Sequence, residues 1–194
     1  MILNPEYFVN LPFIFLNNMI QLHDKKFEVF ITHEEIQFAI KNMTKQIEDD
    51  HCDEVPVFVG VLNGAFMVVS DVIKNYDSPC EVSFVKMASY EGTATTNEVK
   101  QLIGINQNLE GRTVVILEDI VDTGNTVEEL KKMFKAQKVK HCKIATLFFK
   151  PEAYTKDIKI DYVGIRIPNK FIVGFGLDYD GLGRNLKDVY QLSE

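Results

Sequence analysis

Apolar positions in this chain switch between two rhythms. Ile36, Ala39, Ile40, Met43 and Ile47 recur at helical spacing, which predicts a helix with one apolar face. Thr32 and Glu35 precede that run at the spacing of a capping box, where each side chain satisfies a backbone N–H of the other. Unbroken runs rich in β-branched residues come between such stretches. PVFVGVL (56–62), bounded by Pro56 and by Asn63-Gly64, predicts a buried strand, and GAFMVVSDVIKNY (64–76) predicts a helix crossing back. CEVSFVKMASY (80–90) predicts another strand, and TVVILED (113–119) is the strongest strand signal in the chain. The helix expected after it buries Val127, Leu130, Met133 and Phe134. Its first turn carries Glu128 and Glu129, and lysines stand at its end, as the helix dipole favours. CKIATLFFK (142–150), DYVGIRI (161–167) and FIVGFG (171–176) predict later strands. Strands alternating with helices describe an α/β domain with a largely parallel sheet, whose ligands bind beyond the carboxyl ends of the strands.

Two segments break the pattern. Residues 91–98, EGTATTNE, are small and polar with almost no apolar anchor, and predict a mobile loop. Residues 1–22 contain no Lys or Arg, and their apolar run is interrupted by Asn10, Pro12, Asn17 and Asn18. That is too broken for a signal peptide or a membrane span. Residues 1–18 are therefore expected to be an N-terminal extension or the product of an upstream start, and 19–194 a single domain. A chain of 194 residues with no repeats or linkers suits one core.

Composition narrows the partners. With 46% hydrophobic and 25% charged residues the chain is ordinary for a globular protein. A formal net charge of -7 argues against a main task of gripping nucleic acid or an anionic membrane. Cys52, Cys80 and Cys142 are far apart and odd in number, so neither a disulfide framework nor a zinc site is expected, and a reducing cytoplasm suits them.

The chemistry concentrates in VVILEDIVDTGNTVEEL (114–130). Glu118, Asp119 and Asp122 stand where the strongest strand ends, and a turn and a helix follow. Gly124 allows a backbone conformation that turns successive amides into one concavity, and the helix adds its unpaired N–H groups. Thr123 and Thr126 add hydroxyls. A phosphate fits there, while Glu118 and Asp119 suit hydroxyls or a divalent cation. A sugar phosphate combines these features. A merely solvated acidic loop is the plain alternative. An aspartic protease would need a second Asp-Thr-Gly or Asp-Ser-Gly, or an all-β homodimer, and a dinucleotide site would need a glycine fingerprint that is absent.

EDIVDTGNT resembles the phosphoribosyl-pyrophosphate signature of type I phosphoribosyltransferases. VGVLNGAFMVVSDV, VKMASYEGT, the Lys of FFKP, and IPNKFIVGFGLDYDGLGRNL resemble, in the same order, the other blocks of the hypoxanthine (hypoxanthine-guanine) phosphoribosyltransferase family, over residues 20 to 194. The resemblance implies a central, mostly parallel sheet flanked by helices, with a small hood and a mobile lid loop. It implies a Mg²⁺-dependent transfer of the phosphoribosyl group from phosphoribosyl pyrophosphate to hypoxanthine or guanine. It further implies that Asp122 handles the proton at purine N7, that Glu118 and Asp119 hold the ribose hydroxyls, and that Asp122, Thr123, Gly124, Asn125 and Thr126 bind the 5′-phosphate. Asp178 would hold the magnesium ion, with Glu118 and Asp119 as further candidates, and Arg184 would meet pyrophosphate. Phe171 would stack on the purine, and backbone near Ile172 and Asp178 would read its 2-position.

Lys150 is implied as the selector, because an ammonium only donates and suits the 6-oxo group rather than the 6-amino group of adenine. Leu62, Asn63 and Gly64 match the block whose amides cradle pyrophosphate, often through a non-proline cis peptide; many members have a basic residue where this chain has Asn63. Ser89 and Tyr90 would belong to the lid. A homodimer or homotetramer in the cytoplasm is the expected assembly, with no nucleic-acid partner. Two rivals remain: an enzyme for another base such as xanthine, and a regulator of the same fold that binds nucleic acid through KKMFKAQKVKHCK (131–143).

Overall fold

The computed structural model describes residues 13–16, 19–88, 100–103, 105 and 107–193. In chain order the elements are β1 (Phe13–Leu16), β2 (Met19–Leu22), β3 (Lys25–Ile31), α1 (His33–His51), β4 (Val57–Leu62), α2 (Phe66–Asn75) and β5 (Glu81–Ala88). Then come β6 (Lys100–Ile103), β7 (Thr113–Val121), α3 (Asn125–Ala136), β8 (His141–Phe149), β9 (Tyr162–Arg166), β10 (Ile172–Val173) and β11 (Val189–Leu192). The lid candidates Ser89 and Tyr90, and the 91–98 loop, lie outside the described residues.

The central sheet runs β6-β5-β4-β7-β8-β9. Five of its strands are parallel, and β6 closes one edge antiparallel to β5. Both faces are covered. Val57, Val59, Val61, Val114 and Ile116 pack with Val127, Leu130 and Phe134 of α3, while Phe58, Val115 and Leu117 pack with the apolar stripes of α1 and α2. Burial on two sides explains why β4 and β7 read as continuous apolar runs rather than alternating ones. The capping box forms as expected: Thr32 N–H donates to the Glu35 carboxylate at 2.8 Å, and Glu35 N–H donates to Thr32 Oγ1 at 3.4 Å. The helix then runs beyond its last periodic isoleucine to His51, whose ring meets the Tyr162 hydroxyl of β9 at 3.1 Å.

A second, antiparallel sheet forms the hood, in the order β1-β2-β3-β11-β10. The strand expected at 171–176 is a difference here. Only Ile172–Val173 is extended, and it pairs with β11 in the hood rather than joining the central sheet. Gly174, at φ 103, turns the chain out of the strand against the Asp188 carbonyl, where a side chain would collide. Phe13–Leu16, inside the segment expected to be an extension, pairs residue for residue with β2. Among the described residues no helix is long and apolar enough to cross a membrane, and the three cysteines are free.

Candidate active site

Four connections meet beyond the carboxyl ends of β4, β7 and β8. They enclose a cavity of about 260 Å³ lined by Gly64, Asp119, Ile120, Asp122, Lys150, Phe171, Ile172, Leu177, Asp178 and Arg184. β7 delivers the acids. Glu118 and Asp119 are both buried, and Asp119 faces the cavity whereas Glu118 is not among its lining residues. Burial pushes both carboxyl groups above the usual carboxylate range, and the charge of Asp119 adds to the push on Glu118. The Ile120 amide and the Arg184 guanidinium pull Asp119 partly back, while Asp178 adds to the upward push.

Close backbone approach builds one wall. The Leu62–Asn63 peptide is cis. Next to it, Gly64 lies so near the Asp119 carboxylate that a β-carbon would collide with it, and a β-carbon on Gly176 would strike the Gly64 carbonyl. The β4 and β10 connections therefore close on Asp119 at a point where no side chain fits. Arg184 fastens the far side. Its guanidinium donates to the Gly176 carbonyl at 2.7 Å and pairs with Asp178 Oδ1 at 2.7 Å, and Asp178 Oδ2 accepts from Gly181 N–H at 2.7 Å.

The turn after β7 has the form that its sequence predicts. Gly124 adopts φ 88 and caps α3, leaving the first N–H groups of the helix without side-chain partners. Thr123, Asn125 and Thr126 are exposed at this rim. The segment after Lys150 braces the turn from behind: Tyr154 and Lys156 pack on Gly124, and Thr155 donates through N–H and Oγ1 to the Thr123 carbonyl. Lys150 itself is set by its N–H bond to the Val121 carbonyl, and its ammonium reaches Asp122 Oδ2 at 2.8 Å. Phe171 stands opposite, 47% exposed.

Residues 30–180 match the phosphoribosyl transferase domain family. A hypoxanthine-guanine phosphoribosyltransferase of Streptococcus thermophilus is 44% identical over 168 residues, spanning 86% of this chain and 93% of that protein. The chain belongs to the hypoxanthine-guanine phosphoribosyltransferase family. The Streptococcus mutans relative of the same name is 41% identical over 91% of this chain and 97% of its own length. Among solved structures, a Bacillus anthracis hypoxanthine-guanine phosphoribosyltransferase with HEPES in its active site superposes with a TM-score of 0.80 at 36% identity, covering 86% of this chain and 98% of that one. A Staphylococcus aureus hypoxanthine phosphoribosyltransferase gives 0.80 at 38% identity, covering 86% and 91%.

Of the site residues expected from sequence, Gly64, Asp119, Asp122, Lys150, Phe171, Ile172, Asp178 and Arg184 share the cavity. Leu62 and Asn63 flank it through Gly64, and Thr123 to Thr126 form the adjoining rim. Ser89 and Tyr90 lie outside the described residues. Sequence reasoning missed Leu177, which lines the cavity, and Gly176, whose only signal was its place in a Gly-Phe-Gly run. It also missed the Lys150–Asp122 pair, since two residues 28 positions apart give no local sign of that meeting.

Proposed function

We propose that this chain is a cytoplasmic purine-salvage enzyme that transfers the 5-phosphoribosyl group from phosphoribosyl pyrophosphate to hypoxanthine, and also to guanine, giving IMP or GMP and pyrophosphate. The observation that carries this reading is the Asp122–Lys150 pair facing Phe171 across one small cavity. A 6-oxopurine presents its O6 and N7 side by side on one edge. Lys150 donates to O6, Asp122 accepts the proton at N7, and Phe171 covers the ring face. Adenine would set its amino group against the ammonium, two donors facing each other with no acceptor between them.

The phosphoribosyl half occupies the other end. The amides after Asp122 and the start of α3 receive the 5′-phosphate, with Thr123 and Thr126 as hydroxyl donors. Asp119, with Glu118 behind it, accepts from the ribose hydroxyls. Arg184 and the amides at Leu62–Gly64 receive pyrophosphate, where a forked cation is apt. The carboxylates of Asp119 and Asp178 face one cavity, and the negative charge of Asp178 makes Asp119 harder to ionise; together they are an all-oxygen donor set that fits a hard divalent cation. Mg²⁺ held there by Asp178, with Asp119 and Glu118 near it, would neutralise charge on the pyrophosphate. As the bond from C1′ to pyrophosphate loosens, N9 attacks the oxocarbenium-like carbon from the opposite face and Asp122 holds the N7 proton.

The nucleic-acid-binding alternative rested on the basic 131–143 segment. Its lysines are largely engaged within the fold: Lys132 pairs with Glu129 at 2.9 Å, Lys140 with Glu54 at 3.3 Å and Lys143 with Asp161 at 3.3 Å. An absorbance assay with phosphoribosyl pyrophosphate, Mg²⁺ and each of hypoxanthine, guanine, xanthine and adenine tests the reading. Turnover of hypoxanthine with rejection of adenine is expected, and turnover of adenine or of no base overturns it. The enzyme works as a homodimer or homotetramer, which sedimentation would measure, and residues 19–194 act as one catalytic domain.

A further inference from the structure

Tyr179 joins parts of the molecule that belong to different subsites. Its ring stands edge-on to Phe171, with centroids 5.9 Å apart and planes at 86°. It also packs on Phe27 of β3 at 6.0 Å, and Phe27 lies 6.2 Å from Phe171. The three rings form one cluster behind the exposed face of Phe171. The hydroxyl of Tyr179 donates to Asp24 Oδ1 at 2.7 Å, Lys25 Nζ lies 5.0 Å from its ring centroid, and the His23 ring meets its edge at 5.6 Å. His23 Nε2 is also 3.3 Å from the Asp180 carbonyl. The β2–β3 turn, His23 and Asp24, with Lys25 at the start of β3, thus grips Tyr179 and its neighbour. Through the backbone, Tyr179 exchanges hydrogen bonds with Leu182 at 2.8 and 3.0 Å, closing the turn that carries Asp178 at one end and Arg184 at the other.

We infer that Tyr179 is a positioning residue that ties the base-stacking ring to the pyrophosphate-side turn, with the hood hairpin as its anchor. This rests on the phosphoribosyltransferase reading of the site. The ring and the hydroxyl have separable tasks. The ring limits the tilt of Phe171 and so sets the plane in which a purine stacks. The hydroxyl, held by Asp24, fixes the 178–184 turn against the hood and so sets where Arg184 points. Neither group touches a substrate.

The test compares the full chain with Tyr179→Leu, Tyr179→Phe, Asp24→Asn and the double variant of the last two. KM for hypoxanthine, KM for phosphoribosyl pyrophosphate, kcat, calorimetric binding of IMP and the melting temperature are measured for each. Tyr179→Leu should raise the hypoxanthine KM roughly threefold to tenfold, the range for losing one aromatic pair, and weaken IMP binding in proportion. Tyr179→Phe should leave the hypoxanthine KM alone and raise that for phosphoribosyl pyrophosphate. Asp24→Asn should match it, and the double variant should be no worse than either single one. A lower melting temperature with both KM values unchanged reduces Tyr179 to a structural role and overturns the inference, as does an equal rise of both KM values in Tyr179→Phe. Should Tyr179→Leu fail to fold, the Phe and Asn pair decides. IMP binding needs no turnover, so a wild-type chain that binds IMP but turns nothing over sinks the enzymatic reading while leaving the Tyr179 comparison intact.

Discussion

The ammonium of Lys150 and the carboxylate of Asp122 are hydrogen-bonded at 2.8 Å, with the lysine side chain 9% and the aspartate 44% exposed. In the function proposed above, each would meet one atom on a 6-oxopurine edge; in the structure each satisfies the other. Replacing Asp122 by Asn removes the proton acceptor and leaves an almost buried cation beside a neutral amide. Turnover should fall ~10²–10⁴-fold, the usual cost of losing acid–base help. Steady-state kinetics on the folded variant check this, and full activity would reject the assignment.

Lys150→Gln separates selectivity from chemistry. A glutamine amide both donates and accepts, so it tolerates a 6-amino group as well as a 6-oxo group. The preference for hypoxanthine over adenine should shrink by roughly 10- to 100-fold, mainly through loss of hypoxanthine turnover. Competition assays with both bases measure the ratio, and an unchanged ratio would move the selector elsewhere.

Gly64→Ala should strike at Asp119 directly. Its β-carbon would enter the space held by that carboxylate, and both Asp119 and the Gly64 backbone would have to shift. A stability loss of about 1–3 kcal/mol is expected from such overpacking. Binding of phosphoribosyl pyrophosphate should weaken far more than binding of free purine, which calorimetry with each ligand would resolve.

Burial pushes the Tyr76 hydroxyl up to about 12, helped by the negative charge of Glu48. An unfolded tyrosine ionises near ~10. The folded state therefore keeps a proton that the unfolded state releases. That contribution to stability is complete below about pH 10 and is lost as pH rises from there through about 12. Among the described residues the Tyr76 hydroxyl has no hydrogen-bond partner. Tyr76→Phe should accordingly be neutral or stabilising at pH 7 and should flatten the alkaline fall in melting temperature.

The cysteines should differ in reactivity. Burial pushes the Cys142 thiol up to about 11, so only about one part in a thousand is thiolate at pH 8, and Cys80 is raised for the same reason. Cys52 is exposed. Peptide mapping after brief iodoacetamide treatment at pH 8 should find Cys52 labelled first and Cys142 last. Early labelling of Cys142 would contradict its packing under α3.

The central sheet was legible because its determinants are local. A strand buried on both faces is a continuous apolar run, as at Val57–Leu62 and Val114–Leu117, and the Thr32–Glu35 box marks a helix start by spacing alone. The turn at Gly124 was equally plain, since its conformation demands glycine. The hood was expected from the family resemblance alone and could not be read from its own residues. It is held by pairing β3 with β11, Phe27 opposite Leu192 and Ile31 opposite Val189, and nothing near either strand signals a partner so distant in the chain. β10 is two residues long and owes its extension to that pairing rather than to its own run. The contact of Gly64 with Asp119 and Gly176 likewise exists only once three connections have met.

The order of strands in the hood has a further consequence for the making of the enzyme. On a ribosome the central sheet has all its strands once Arg166 has emerged, and it can assemble from contacts already available. Phe171 and Ile172 have no sheet to join until β11, with Leu192, follows and docks on β3. A purine analogue that gains fluorescence on stacking would therefore stay dark on a nascent chain whose sheet is already built, and would light only when the hood closes.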